Sequence, residues 1–120
     1  MSPEEKLRLS HIVEAADRIA EYLHDVSKES FLRDVLRQDA VIRRIQIIGE
    51  AVRHLSPALL STMPDFPAKE ARGMRNVLVH DYEGVNVERI WETAVNDIPV
   101  LRKSLEEYLR TQIQDHGPCI

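Results

Sequence analysis

The chain has 120 residues, enough for one domain with one modest core. Its 16 basic and 20 acidic residues leave a net charge of −4, so bulk charge does not mark a nucleic-acid binder, although a local basic cleft remains compatible with it. The single cysteine, Cys119, excludes an intrachain disulfide framework and a cysteine-built zinc site, and fits a reducing compartment.

Every apolar run is interrupted by Arg, Asp or Glu within a few residues, and no signal peptide is visible. No membrane span is expected, and a cytoplasmic protein is. Aromatic residues are 5% of the chain, with four glycines and six prolines, and the β-branched residues recur at helical spacing. These features predict an all-α fold. The expected domain covers residues 1–110, with 111–120 a flexible C-terminal tail.

Ser2-Pro3-Glu4-Glu5 is a helix start: a cap candidate, proline at the first helical position, and acids at the positive helix end. The first helix is expected to reach about Val26 on a stripe of Leu9, Ile12, Val13, Ala16, Ile19, Ala20 and Leu23. Tyr22 and His24, near its end, read as packing or surface residues. Asp25 to Ser30 is a polar connection in which Ser27 or Ser30 caps the next helix. Phe31, Leu32, Val35 and Leu36 predict a short helix.

A longer helix is expected from about Gln38 to Leu55. Its stripe is Val41, Ile45, Ile48, Val52 and Leu55, with Gly49 on one side where a neighbouring helix can approach. Glu50 follows Gly49. It reads as a solvated glutamate, as an ion-pair partner of Arg43 or Arg53, or as a residue that holds a functional arginine. Arg43, Arg44 and Arg53, with Arg37 upstream, form a modest basic set that is either a solvated face or part of a binding surface.

Pro57, Pro64 and Pro67 punctuate residues 56–67, predicting a loop with at most one helical turn, pinned by Leu59, Leu60, Met63 and Phe66. The next helix starts near Pro67-Ala68 and is expected to run to about His80. Glu83 to Asn86 then reads as a stop and turn, with Asn86 capping a last helix to about Arg110. Pro99 lies inside that helix and predicts a kink around Asn96 to Pro99. Trp91 is expected to anchor the core. His116 and Cys119 are weak metal-ligand candidates, and no histidine pair has metal-binding spacing; no metal or cofactor is expected.

The chemistry concentrates in Arg75-Asn76-Val77-Leu78-Val79-His80-Asp81-Tyr82. Arg75 and His80 are five apart, about 140° around a straight helix, so one helix does not aim both at a single small target. They converge if the helix ends before His80, if the arginine bends round, or if two copies face each other across a two-fold axis. A histidine that titrates near neutrality can take a proton from a ribose 2′-hydroxyl or protonate a leaving oxygen. Arginine can clamp the phosphate. Asn76 can bond to phosphate or orient His80, and Tyr82 can hydrogen-bond or stack on a base. A packed, capped helix terminus accounts for the same residue types.

Arg75-x4-His80-x-Tyr82 resembles the Arg-x4-His-x-Tyr signature of the HEPN superfamily, specifically its HepT-like (DUF86) proteins. The segment Ala40 to Ala51, with its Ile-Gly-Glu-Ala run, resembles a second family feature. Gly73-Met74-Arg75-Asn76, Val87 to Trp91 and Ile98-Pro99-Val100-Leu101 fit as well. The sequence departs from the family at Ala68, where tryptophan is common, and at Ala71, where a larger apolar residue is usual.

The resemblance implies an up-and-down bundle of four to five helices that homodimerises, the signature segments of two subunits lining a cleft. It implies a metal-independent ribonuclease toxin paired with a nucleotidyltransferase antitoxin of the MNT type. That partner transfers AMP to the signature tyrosine. Arg75 and His80 are then catalytic, and Tyr82 is the modification acceptor. Asn76, Glu50, Arg43 and Arg53 support the site or the RNA. The alternative is a non-catalytic RNA- or nucleotide-binding subunit that presents substrate to a nucleotidyltransferase.

Overall fold

The structure, a computed structural model, describes the backbone of residues 1–79 and 86–115 and the side chains of residues 1–74 and 86–112. The described residues form an all-α bundle. Helix α1 (Pro3–Tyr22) and helix α5 (Ala68–Val79) both pack against α3 (Val35–Arg53). Helix α6 (Val87–Glu92) and helix α7 (Ile98–Asp115) run on through a wide π-helical stretch, Thr93–Asp97, and α7 closes against α1. The single turns α2 (Lys28–Phe31) and α4 (Pro57–Ser61) lie in the connections. Among the described residues no helix is long and apolar enough to cross a membrane.

The helix starts follow the capping residues. Ser2 accepts from Glu5 N–H while Glu5 reaches back to Ser2 N–H, a complete capping box. Ser27 caps α2, Ser56 caps α4 and Asn86 caps α6, each accepting from the backbone N–H three residues on. Proline follows Ser2 and Ser56 directly, where its missing N–H costs no helix bond.

Three boundaries differ from the sequence expectation. Helix α1 ends at Tyr22 because the chain turns at Leu23 to Val26, and Asp25 takes a positive φ of 56°. Aspartate tolerates that left-handed conformation better than most residues. Helix α3 begins at Val35, a turn before Gln38, because Asp34 accepts from Arg37 N–H as its cap. That bond and the Arg37 guanidinium hold the Asp34 carboxyl below its ordinary value. Val35 and Leu36 therefore open α3 and are exposed, and the short helix is Lys28–Phe31 instead. Helix α7 reaches Asp115, into the stretch expected to be tail; His116 and Cys119 lie outside the described residues.

The core is the predicted set of stripes brought face to face. Leu9, Ile12, Ala16 and Ile19 of α1 meet Val41, Ile45, Ile48 and Val52 of α3, with Ile98, Leu101 and Leu105 completing it. Phe31, not Trp91, is the fully buried aromatic; Trp91 is half-buried and packs on it with ring centroids 5.3 Å apart and planes tilted by 41°. The bulk of an indole makes complete burial uncommon. Gln38 is the one buried polar side chain among the described residues, and its Nε2 donates to Phe31 O at 2.9 Å.

The anomaly expected at Pro99 is the π stretch. Ile98 N–H bonds to Thr93 O, five residues back. A proline ring normally collides with the carbonyl four residues before it, here that of Val95, and offers no N–H. A widened turn immediately upstream relieves that crowding without breaking the helix.

Candidate functional site

Helix α5 carries the start of the signature. It follows Pro67, whose carbonyl accepts from Ala71 N–H at 3.0 Å. Ala71 is fully buried and Met74 nearly so, which seats α5 on α3. Phe66 is buried at the entry to the helix, in the same core as Ala71, with Ala68 packed against it. Arg75 and Asn76 belong to α5. His80, Tyr82 and the predicted turn at Glu83 to Val85 lie outside the described residues.

On α3, Gly49 is buried and Glu50, next to it, is exposed. Glu50 Oε1 lies 3.0 Å from His54 Nε2, one turn on. Of the alternatives for Glu50, a pairing with Arg43 or Arg53 is not seen; His54 follows at i+4 on the same face. Arg43 does share a groove with Glu50. The groove lies between α1 and α3, has a volume of about 330 Å³, and is walled by Arg8, His11, Arg43, Gln46 and Glu50 over a floor of Ile47 and Ala51. Arg53 is exposed and lies outside it.

The rest of the basic set is structural. Arg37 Nε donates to Tyr22 O at 2.8 Å, and Arg44 Nε donates to Tyr22 Oη at 3.3 Å. Both tie α3 to the end of α1, which gives Tyr22 its packing role. Arg8 and His11, with Gln46 of α3, are polar groove residues that sequence reasoning missed. Arg8 and His11 lie some thirty residues before Arg43, and only the pairing of α1 with α3 brings them together. The available signal was their place beside Leu9 and Ile12, at the margin of the buried stripe.

A second cavity, about 250 Å³, lies where α3, α5 and α6 meet. Ile45, Met74 and Ile90 form its apolar part, and Glu70, Arg89 and Asp97 its polar rim. Gly73 borders it, with nothing within 4 Å of where a Cβ would stand.

Comparison with known proteins places this arrangement in context. A family model described as "Ribonuclease HepT-like" matches residues 12–108. A protein named "Putative RNase TTE0752", from Caldanaerobacter subterraneus subsp. tengcongensis, is 38% identical over 104 residues, covering 87% of this chain and 93% of that one. "Probable ribonuclease HepT" from Thermococcus cleftensis is 38% identical over 99 residues, covering 82% and 90%. No solved structure matches the chain.

Proposed function

The chain belongs to the HepT-like ribonuclease family, and on that premise we propose that it is a metal-independent endoribonuclease toxin that uses Arg75 and His80. The observation that carries this reading is the intact Arg75-x4-His80-x-Tyr82 signature inside a family match spanning residues 12–108.

The chemistry follows from the residue types. The ribose 2′-oxygen attacks the adjacent phosphorus and the bond from phosphorus to the 5′-oxygen breaks. The 2′-hydroxyl proton passes to a base and the departing 5′-oxygen gains one. The products are a 2′,3′-cyclic phosphate and a 5′-hydroxyl. His80 serves the proton transfers. Arg75 compensates the charge that builds on the non-bridging phosphate oxygens. The nucleophile belongs to the substrate, so the mechanism requires no metal-bound water. Asn76 binds phosphate or orients His80, and Glu50 supports the site from α3.

Because Arg75 and His80 diverge on a straight helix, the reading places the reacting phosphate between two copies of the chain in a homodimer. It further assigns the protein to the cytoplasm, beside an MNT-type nucleotidyltransferase that silences it by moving AMP from ATP to the Tyr82 hydroxyl, with release of pyrophosphate. Bulk and negative charge then occupy the place an RNA phosphate needs.

The test is cleavage of RNA by the purified protein, with His80→Ala and Arg75→Ala beside the wild type. Wild type is expected to cut, leaving cyclic-phosphate ends, and both variants to lose activity. Wild type that binds RNA or the nucleotidyltransferase but never cuts would instead establish the substrate-presenting role.

A further inference from the structure

The groove between α1 and α3 carries chemistry that the signature does not use. Arg8 stands on one wall and Arg43 on the other. Neither makes an ion pair or hydrogen bond among the described residues, although Glu4 and Asp39 each lie one helical turn before them. Arg18, Arg33, Arg37, Arg102 and Arg110, by contrast, each hold a carboxylate. In a chain with a net charge of −4, two unneutralised guanidinium groups across one groove form a local positive site.

The remaining walls suit a sugar–phosphate chain. His11, three residues after Arg8, adds a ring nitrogen that can bond to phosphate. The Gln46 amide can both donate to and accept from a ribose 2′-hydroxyl. Ile47 and Ala51 give the sugar an apolar floor. Among the described residues the only carboxylate in the groove is Glu50, which already engages His54. Helix α3 carries α1 on one side and α5 on another, so the groove and the signature helix share one support.

We propose that Arg8 and Arg43, with His11 and Gln46, hold the backbone of single-stranded RNA. This deepens the ribonuclease reading and rests on it for the identity of the ligand. Phosphate contacts of this kind fix the register of the strand and carry no sequence preference of their own.

The test measures binding of a short fluorescent 2′-fluoro oligonucleotide, which lacks the internal nucleophile, by anisotropy across a salt series. Arg8→Gln/Arg43→Gln is expected to bind about tenfold or more weakly, with the slope of log affinity against log salt reduced by about 1.4, near 0.7 for each phosphate no longer neutralised. The Arg8→Lys/Arg43→Lys variant should keep most of the slope. Lys103→Gln/Arg110→Gln on α7 removes the same charge elsewhere and should leave it unchanged. Equal slopes in wild type and the groove variant, an equal loss in the α7 control, or no binding by wild type overturns the proposal. Cleavage measured in parallel separates the two readings. A wild type that never cuts but whose binding depends on Arg8 and Arg43 defeats the ribonuclease reading alone; one that cuts, with an indifferent salt slope, defeats the groove alone.

Discussion

Ser56 and Glu5, 51 positions apart, are joined by a 2.8 Å hydrogen bond from Ser56 Oγ to Glu5 Oε2. The same serine caps α4 by accepting from Leu59 N–H, and the same glutamate completes the capping box of α1. Two helix starts are thus fastened through one carboxylate. The Ser56 hydroxyl, above all, holds the Glu5 carboxyl below its ordinary value of 4.5. A depressed carboxyl stabilises the fold above its unfolded value and loses that contribution as pH falls through its lower folded value. Acid denaturation of Ser56→Ala should therefore show a shallower loss of stability below about pH 4.5 than wild type. At neutral pH the variant should lose about 1 kcal/mol for the missing cap, read from urea midpoints.

Phe31 carries more of the fold than its place in a four-residue helix implies. It is fully buried, stacked at a tilt on Trp91, and its carbonyl receives Gln38. Phe31→Ala should cost about 3–5 kcal/mol, a large share of the roughly 5–15 kcal/mol available to a small domain. Trp91 emission should shift to the red at the same time. A loss below about 1 kcal/mol would remove Phe31 from the centre of the core.

Gly73 offers the opposite case. A helix-interior glycine is less favourable than alanine, and the added methyl meets nothing within 4 Å. Gly73→Ala should stabilise the protein by about 0.5–1 kcal/mol, seen as a higher denaturation midpoint. A lower midpoint would mean that the cavity beside it is occupied in the folded protein.

For Tyr82, the expected result is a mass gain of one or more AMP groups after incubation with ATP and the cognate nucleotidyltransferase, absent from Tyr82→Phe. The modified protein should lose RNA cleavage, and Tyr82→Phe should keep cleaving in the presence of the partner. An undiminished mass gain in Tyr82→Phe moves the acceptor to another residue.

Much of the bundle was legible because caps and stripes are local features. Ser2, Asn86 and, of the two serines offered, Ser27 cap where their sequence context predicts, and the stripe from Val41 to Leu55 is buried throughout. The misplaced boundaries arose where apolar pattern and capping chemistry disagree. Leu23 and Val26 continue the α1 stripe, yet the backbone turns there. Val35 and Leu36 look like core, yet Asp34 starts the helix and leaves them in solvent. The order of burial between Phe31 and Trp91 is set by tertiary packing and has no local signature.

The site divides in the same way. The signature is contiguous, so sequence alone named Arg75, His80 and Tyr82. The groove is not, and Arg8 and His11 become visible only when α1 is laid on α3. Glu50 and Arg43 were found from α3 itself, but Glu50 meets His54, one turn on, and Arg53 stands apart.

The wide turn at Thr93–Asp97 also bears on how this chain tolerates changes in length. A π turn stores one residue more than the α turn it replaces. Removing one residue there would convert the stretch to ordinary α-helix and leave Ile90 upstream and Leu101 and Leu105 downstream still pointing inward. The same deletion in α7 before Leu105 would turn every later side chain by about 100° and swing Leu105 toward solvent. The segment before Pro99 is thus a place upstream of Leu105 where a codon can be lost without unthreading the core.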